Sequence, residues 1–148
     1  HLNDLSNEPI DLFISSYGGE VQAGLLIYDV IQSSPAPIRM YCRGAAYSMA
    51  AILFASGKHG RFILPNSKLM LHEPLLNNGV QGSASSIKSI SEGIMTIRSK
   101  LNNILALHTG RSIEEIEAVT CNDHFFTAEE SVDFGLADKI INFSDFWG

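Results

Sequence analysis

The sequence is poor in cysteine and in charged residues. Only two of its 148 residues are cysteines, and 18% are charged. Cys42 and Cys121 are too few for a disulfide framework and do not have metal-site spacing, so we expect a reducing compartment. The length suits one domain, and neither internal repeats nor a low-complexity linker divides the chain. We therefore expect a single domain over residues 1–148.

Positive charge and long apolar runs are also scarce. Ten Lys and Arg residues stand against 16 Asp and Glu, a formal net charge of −6 with no basic stripe, which argues against nucleic acid as a partner. No apolar run reaches membrane-spanning length, and the opening HLNDLSNEPI lacks the charged flank and apolar core of a signal peptide. We expect a cytoplasmic protein, with an organelle stroma or matrix as the variant location. The missing initiator methionine suggests a piece of a longer chain.

Helix and strand patterns alternate along the sequence, which is typical of an α/β domain. Strands are predicted at residues 9–14, 38–43, 61–64 and 68–72, and a last one within 135–143. Helices are predicted at residues 21–34, 45–57 (closed by Gly57) and 83–109 (ending at Gly110). Capping boxes predict two more helix starts, at Ser112 to Glu115 and Thr127 to Glu130. In the first helix, Val21, Leu25, Ile27, Tyr28 and Ile31 are predicted to share one face.

One hydroxyl stands out in the apolar segment YCRGAAYSMAAILFASG, residues 41–57: that of Ser48. A serine among small residues usually permits close packing and nothing more. His72, at the end of the strand KLML, has an equally ordinary interpretation as a structural histidine bonded to a carbonyl. Neither residue alone indicates a function.

Three residues considered together change that interpretation. Ser48 lies at a strand-to-helix junction, His72 at a strand end, and acids such as Asp123 follow. Nucleophilic catalysis needs a hydroxyl, an adjacent base and a polar group that orients the base. Unpaired N–H groups at a helix start can stabilise an oxyanion beside such a hydroxyl. The small neighbours of Ser48 would let a substrate backbone approach: Ala45, Ala46, Ala50 and Ala51.

The order of these residues excludes some known arrangements and fits another. The hydrolase elbow GxSxG is absent, because Ala46 and Ala50 flank Ser48. Five sequence blocks follow one another along the chain: SSYGGEVQAGLLIYDVIQ, GAAYSMAAILFASG, RFILPNSKLMLHEPL, GVQGSASSI and DHFFTAEESVDFGLADKII. In this order, they resemble the Clp-type serine peptidases, the ClpP family. The resemblance spans roughly residues 9 to 142.

This resemblance implies a serine endopeptidase that hydrolyses peptide bonds through an acyl-enzyme. By similarity, Ser48 is the nucleophile, His72 the general base and Asp123 the orienting acid. The backbone N–H groups of Gly19 and Met49 would bind the oxyanion. The chemistry implied needs neither a metal nor an organic cofactor.

The resemblance also implies an architecture and partners. Family members are similar in fold to crotonases, with stacked ββα units and a protruding handle helix, here the long helix from Ser83. GVQGSAS, residues 79–85, would be a strand along which a peptide is laid. Seven-membered rings stacked in pairs would enclose a chamber, into which a hexameric AAA+ Clp unfoldase feeds unfolded polypeptides using ATP. The family's axial loop and first helix have no counterpart before His1.

The chain departs from the family pattern near its candidate site. Tyr17 replaces a usual proline, Tyr47 a common small residue, and Glu73 a common glutamine. Cys121 and Asn122 stand where the family has an acidic residue and an arginine that pairs across the ring contact. That last change predicts a different or weaker contact between rings.

Two other functions stay open on the sequence. One is an inactive or weakly active ring subunit of a mixed Clp complex. The other is a crotonase-fold enzyme acting on an acyl-CoA thioester, for which the paired glycines Gly18 and Gly19 would supply an oxyanion hole. The set Ser48, His72 and Asp123 favours the peptidase over both.

Overall fold

Strands and helices alternate in the computed structural model, which describes residues 7–74, 82–142 and 144–147. The strands are β1 (Ile10–Ser16), β2 (Ile38–Tyr47), β3 (Arg61–Ile63), β4 (Lys68–Leu71), β5 (His124–Phe126) and β6 (Lys139–Ile140). The helices are α1 (Val21–Ser33), α2 (Met49–Ala55), α3 (Ala84–Thr109), α4 (Ile113–Thr120), α5 (Ala128–Phe134) and α6 (Ser144–Trp147). None of the helices in the described ranges combines the length and the hydropathy of a membrane span.

Strand β2 is the central strand of a six-stranded sheet. It pairs in parallel with β1 along one edge, and its other edge pairs first with β3 and then with β4. Strand β6 extends the sheet in parallel beyond β3, whereas β5 pairs with β4 in antiparallel orientation. This mixed sheet with helices packed on it confirms the predicted α/β class.

The second edge of β2 changes partner around Gly44. Met40 to Cys42 pair with β3, and Ala45 to Tyr47 pair with β4. The hydroxyl of Ser67 accepts a hydrogen bond from the Gly44 N–H at 2.8 Å and donates one to the Cys42 carbonyl at 3.3 Å. Ser67 thereby links the loop between β3 and β4 to β2, so that β4 ends beside the end of β2.

Helix α2 lies in the core. It contacts the sheet, α1 and α3, and six of its seven residues are buried: Met49, Ala50, Ala51, Ile52, Phe54 and Ala55. Because the helix is short and buried all round, the position of its first residue is determined by packing and not by helix propensity. Ser48 immediately precedes that residue.

The prediction of a helix over residues 45–57, closed by Gly57, was wrong at its start. Residues 45–47 continue β2, because their backbone groups pair with β4, and this ladder prevails over the helical preference of the two alanines. The helix ends at Ala55, where the N–H of the cap residue Ser56 donates to the Ile52 carbonyl.

The other predicted elements are confirmed with small shifts. Helix α3 begins after the cap residue Ser83 and ends at Gly110, which is left-handed, and both predicted capping boxes are present. In α1 the shared face was partly wrong, since Ile31 and Gly24 are buried but Ile27 is 47% exposed. Strand β5 and helix α6 were not predicted.

A buried arginine joins four segments of the chain. The Nη1 of Arg61 donates to the carbonyls of Ala55, His108 and Gly135 at 3.0, 3.2 and 2.7 Å. Its Nη2 donates to Asp138 Oδ1 at 2.7 Å, and its Nε donates to Oδ2 at 3.1 Å. Arg61 therefore satisfies the ends of α2, α3 and α5 in one place.

The free energy of unfolding should depend on pH because of a histidine near that cluster. His108 Nε2 lies 2.9 Å from the Tyr28 hydroxyl, and burial, with the positive charges of Arg61 and Lys58, lowers the pKa of His108. Because the unfolded chain binds this proton more readily, the stabilisation is complete above the unfolded pKa of about 6.5 and falls as the pH drops below it. In urea unfolding at pH 7.5 and 5.5, we expect the wild type to lose more stability than His108→Gln. Equal losses would contradict this account.

Candidate active site

Ser48 lies at a tight turn between the end of β2 and the start of α2. Its φ is 59° and its ψ is −124°, and it is the only non-glycine residue with positive φ in the described part of the chain. Its N–H donates to the Met70 carbonyl at 2.8 Å, and its side chain does not cap the helix. Such backbone conformations persist only where the surroundings enforce them, and they cluster at functional sites.

A glycine turn packs directly against Ser48. Gly18 has φ of +103°, and a Cβ there would lie 2.8 Å from the Tyr47 carbonyl oxygen and 3.0 Å from Ser48 Cβ. Its N–H donates to the Ser16 hydroxyl at 3.1 Å, which closes the turn at the end of β1. Only glycine fits this position, because both the backbone angle and the contact exclude a side chain.

Replacing Gly18 by alanine should therefore disrupt the site. We expect Gly18→Ala to lower the free energy of unfolding by about 1–3 kcal/mol, from backbone strain and the clash with β2. The matched control is Gly19→Ala, because a Cβ at Gly19 meets no atom within 4 Å. Urea unfolding of the two variants measures the difference. A Gly18→Ala variant as stable as Gly19→Ala would show that the turn tolerates displacement.

Two backbone donors are available beside Ser48. Met49 is the first residue of α2, and N–H groups at that position have no partner within a helix. Among the described residues, the Gly19 N–H donates to no carbonyl or side chain. Gly24 of α1 leaves room for the side chain of Met49, with which any Cβ at that position would collide. Close packing of α1 on α2 thus positions both predicted oxyanion donors.

His72 follows the last residue of β4. Its Nδ1 lies 2.6 Å from the carbonyl oxygen of Glu73. A carbonyl oxygen can only accept a hydrogen bond, so this contact requires a proton on Nδ1. In the neutral ring, Nε2 then has a free lone pair. This is the tautomer that a general base needs.

Asp123 precedes the first residue of β5. Since Leu71 pairs with His124 in the antiparallel ladder, His72 and Asp123 are the next two residues beyond that pair and lie at neighbouring strand ends. Asp123 is exposed. Among the described residues, no hydrogen bond joins its carboxylate to His72, and none joins the Ser48 hydroxyl to His72.

The same edge of the sheet thus receives every predicted site residue. The parallel strands β1, β2 and β4 end there, followed by the Gly18–Gly19 turn, Ser48 and His72, and the antiparallel β5 starts there after Asp123. Clefts at the carboxyl ends of parallel strands are common sites of ligand binding in open α/β sheets.

A cavity of about 490 Å³ opens at this edge. Ser48, Met49, His72 and Gly19 line one side of it. Apart from Glu20, the other lining residues are apolar: Val21, Ile52, Pro74, Ile94, Ile97 and Leu101. A cavity with a few polar groups and apolar walls suits a substrate whose side chain is apolar.

Two contacts at the site were not predicted from the sequence. Glu20 lines the cavity, and its carboxylate accepts hydrogen bonds from the N–H groups of Gln22 and Ala23 at 2.8 Å each and so caps α1. Its place just before a helical pattern was the available signal. Arg98 Nε lies 2.7 Å from Glu73 Oε2, and nothing in the spacing of these two residues suggests the contact.

The aromatic departures from the family pattern lie together. The rings of Tyr17 and Tyr47 are 5.3 Å apart, and those of Tyr47 and Phe125 are 5.5 Å apart in an edge-to-face arrangement. Tyr17 is 79% exposed. The Tyr47 ring therefore packs against aromatic neighbours on β5 and beyond β1. The predicted substrate strand at residues 79–85 lies partly outside the described residues, which resume at Gly82, and its last two residues belong to α3, so the strand prediction was wrong there.

A family model described as Clp protease matches residues 2–144. The chain belongs to the Clp protease family. This match confirms the resemblance and makes the chain a ClpP-type peptidase, that is, a member of a family of serine peptidases. In the described part of this Clp protease, no group of three or more His, Cys, Asp or Glu residues could hold a metal ion. Both cysteines are free thiols, Cys42 buried and Cys121 exposed.

Proposed function

We propose that this Clp protease is a serine endopeptidase with Ser48 as nucleophile, His72 as general base and Asp123 as orienting acid. The main support is the backbone conformation of Ser48, which has a positive φ. Its hydroxyl does not cap the helix, and the residue lines a cavity that His72 also lines. The packing of Gly18 against Ser48 gives this strained turn a physical cause.

The proposed reaction begins with proton transfer from Ser48 Oγ to His72 Nε2 as the oxygen attacks a peptide carbonyl. The protonated ring then gives that proton to the leaving amine, and an acyl-enzyme remains on Ser48. Water, deprotonated by His72, then attacks the ester, and the ring returns this proton to Ser48 Oγ as the acid product leaves. The proton that His72 holds on Nδ1 leaves Nε2 free for the first step.

The developing oxyanion would accept hydrogen bonds from the N–H groups of Gly19 and Met49. Both groups are on backbone held by packing, the former after the Gly18 turn and the latter at the start of a buried helix. Preorganised donors of this kind are worth about a hundredfold or more in rate each.

The substrates proposed are unfolded polypeptides cleaved inside a chamber. The largely apolar cavity next to Ser48 would accept an apolar side chain of the substrate. The substrate would pair as an added strand through its backbone hydrogen bonds. Membership of the family supports self-assembly into rings, here proposed as heptamers stacked in pairs, and delivery of substrate by an AAA+ Clp unfoldase.

A second candidate is an inactive or weakly active ring subunit of a mixed complex. The observation that favours it is the absence, within the described residues, of hydrogen bonds linking Ser48, His72 and Asp123. A subunit of this kind would contribute to assembly but not to peptide hydrolysis.

A serine-reactive fluorophosphonate separates the two candidates. We expect the reagent to modify Ser48 of the assembled wild-type protein, as mapped by peptide mass spectrometry, and to modify His72→Ala far more slowly. An unmodified Ser48 under conditions where a known serine peptidase is fully labelled would favour the inactive subunit.

The contact between rings should be weaker than is usual in the family. Cys121 and Asn122 follow α4 and are exposed. Neither side chain carries the positive charge of the arginine that the resemblance places there. Mass measurement over a dilution series should show single rings or smaller species. A double ring that persists at every dilution would refute this expectation.

A further inference from the structure

Glu73 is attached to three other parts of the chain. Its carbonyl accepts from His72 Nδ1 at 2.6 Å, its N–H donates to the Thr120 carbonyl at 2.8 Å, and its Oε2 lies 2.7 Å from Arg98 Nε. Strand β4 and helices α3 and α4 therefore meet at this one residue.

We propose that Glu73 and Arg98 are a positioning pair that holds the imidazole of His72 in the tautomer and orientation of a general base. The proposal rests on the function proposed above. The pair acts through the Glu73 carbonyl, whose direction depends on where the rest of the residue is held.

The carbonyl of Glu73 is the only described group that accepts the Nδ1 proton of His72. Asp123, proposed above as the orienting acid, is exposed and makes no hydrogen bond to His72 within the described residues, so in this structure the Glu73 carbonyl holds the Nδ1 proton before any contact with Asp123 forms. If the peptide plane after Glu73 turned away, Nδ1 would lose its acceptor and the proton could reside on either ring nitrogen. Holding that peptide plane in place therefore determines which nitrogen of His72 is free to act as the base.

The ion pair restrains Glu73 at its side chain. The Arg98 side chain is 22% exposed and that of Glu73 is 37% exposed, so solvent screens this pair less than a fully exposed one. The N–H of Arg98 Nε is not directed at the oxygen, and charge, not a directed hydrogen bond, holds the two together. A lysine at position 98 should consequently preserve the ion pair with Glu73, whereas a neutral residue should not.

Arg98 is itself held in place by the helix that lines the site. Its neighbour Ile97 and Leu101, one turn further on, line the cavity beside Ser48. Helix α3 thus contacts the substrate cavity and, through Arg98, the segment that orients His72. The same helix also has an ion pair of the ordinary kind: Lys88 and Glu92 are 3.9 Å apart and strongly exposed.

The variants that test the pair are Glu73→Gln, Arg98→Gln and Arg98→Lys, with Lys88→Gln as the matched control. For cleavage of a short fluorogenic peptide, we expect both glutamine variants to lower kcat about tenfold, because a misplaced base slows proton transfer. KM should stay within about twofold, since the cavity walls are unchanged. Arg98→Lys should recover most of the turnover, and Lys88→Gln should match the wild type.

A second readout does not depend on activity. The ¹⁵N chemical shifts of the His72 ring, assigned with a His72→Gln sample, report which nitrogen is protonated. We expect Nδ1 to be protonated in the wild type and in Arg98→Lys, and a mixture of tautomers in the two glutamine variants. Thermal unfolding of each variant checks that it is folded.

The outcomes separate this proposal from the proposed function. An unchanged His72 tautomer in the glutamine variants overturns the positioning role whatever happens to kcat, and so does a changed tautomer at wild-type turnover. If the wild type is not labelled at Ser48 by fluorophosphonate, the peptidase function fails. In that case the ¹⁵N chemical shifts of the His72 imidazole still decide whether Glu73 and Arg98 position His72.

Discussion

Ser48→Ala should abolish peptide cleavage while leaving the fold intact. The hydroxyl is the atom that would form the acyl-enzyme, and removing the nucleophile of a serine peptidase lowers kcat by on the order of a millionfold. The hydroxyl caps no helix and makes no hydrogen bond to another described residue, so its removal leaves no polar partner unpaired. Hydrolysis of a fluorogenic peptide measures the first effect, and urea unfolding the second.

Ser33→Ala is the matched control. Ser33 is exposed, and its hydroxyl donates to the Asp29 carbonyl at 2.8 Å, so its loss should change neither turnover nor assembly noticeably. Ser48→Ala should also resist fluorophosphonate. Undiminished cleavage by Ser48→Ala would refute the assignment of the nucleophile.

Arg61→Met should be the most destabilising single substitution proposed for this chain. It removes the donors to three carbonyls and leaves Asp138 without its cationic partner. Leaving the carbonyl acceptors unpaired and breaking an ion pair in which Arg61 is buried but the Asp138 side chain is 48% exposed should together cost about 3 kcal/mol or more of unfolding free energy. Arg61 also lowers the pKa of Asp138, mainly through its hydrogen bonds to that carboxylate.

Arg39→Met provides the comparison. Arg39 Nε donates to Asp11 Oδ1 at 2.6 Å, but both side chains are 42% exposed, and such pairs contribute less than about 1 kcal/mol. Urea unfolding at one protein concentration should therefore separate the two variants clearly, provided assembly is equal. If Arg61→Met is no less stable than Arg39→Met, the joint between α2, α3 and α5 is not a source of stability.

The elements with local signals were predicted well. The long helix from its cap Ser83 to Gly110 and the two capping boxes depend on residues three or four positions apart, which a sequence displays directly. Residues 45–47 were predicted wrongly because their small side chains are compatible with a helix. Only the distant strand β4 provides the backbone partners that make them a strand.

The candidate site divides along the same line. Ser48, His72 and Asp123 could be named from the order of their motifs, and their meeting at one sheet edge follows from the pairing of β4 with β2 and β5. Neither the positive φ of Ser48 nor the contact between Glu73 and Arg98 has a signal in the sequence. Both depend on what packs around them.

By itself, then, the sequence determined the class of fold, the family and the residue types available for catalysis, because these depend on local periodicity, caps and ordered motifs. The tertiary structure alone decided the turn angle of Ser48, the close approach of Gly18 and the acceptor of the His72 proton. The physical reason is that each of these results from contacts between segments far apart in the chain. Such contacts exist only once the strands of the sheet have paired and α2 has packed beneath them.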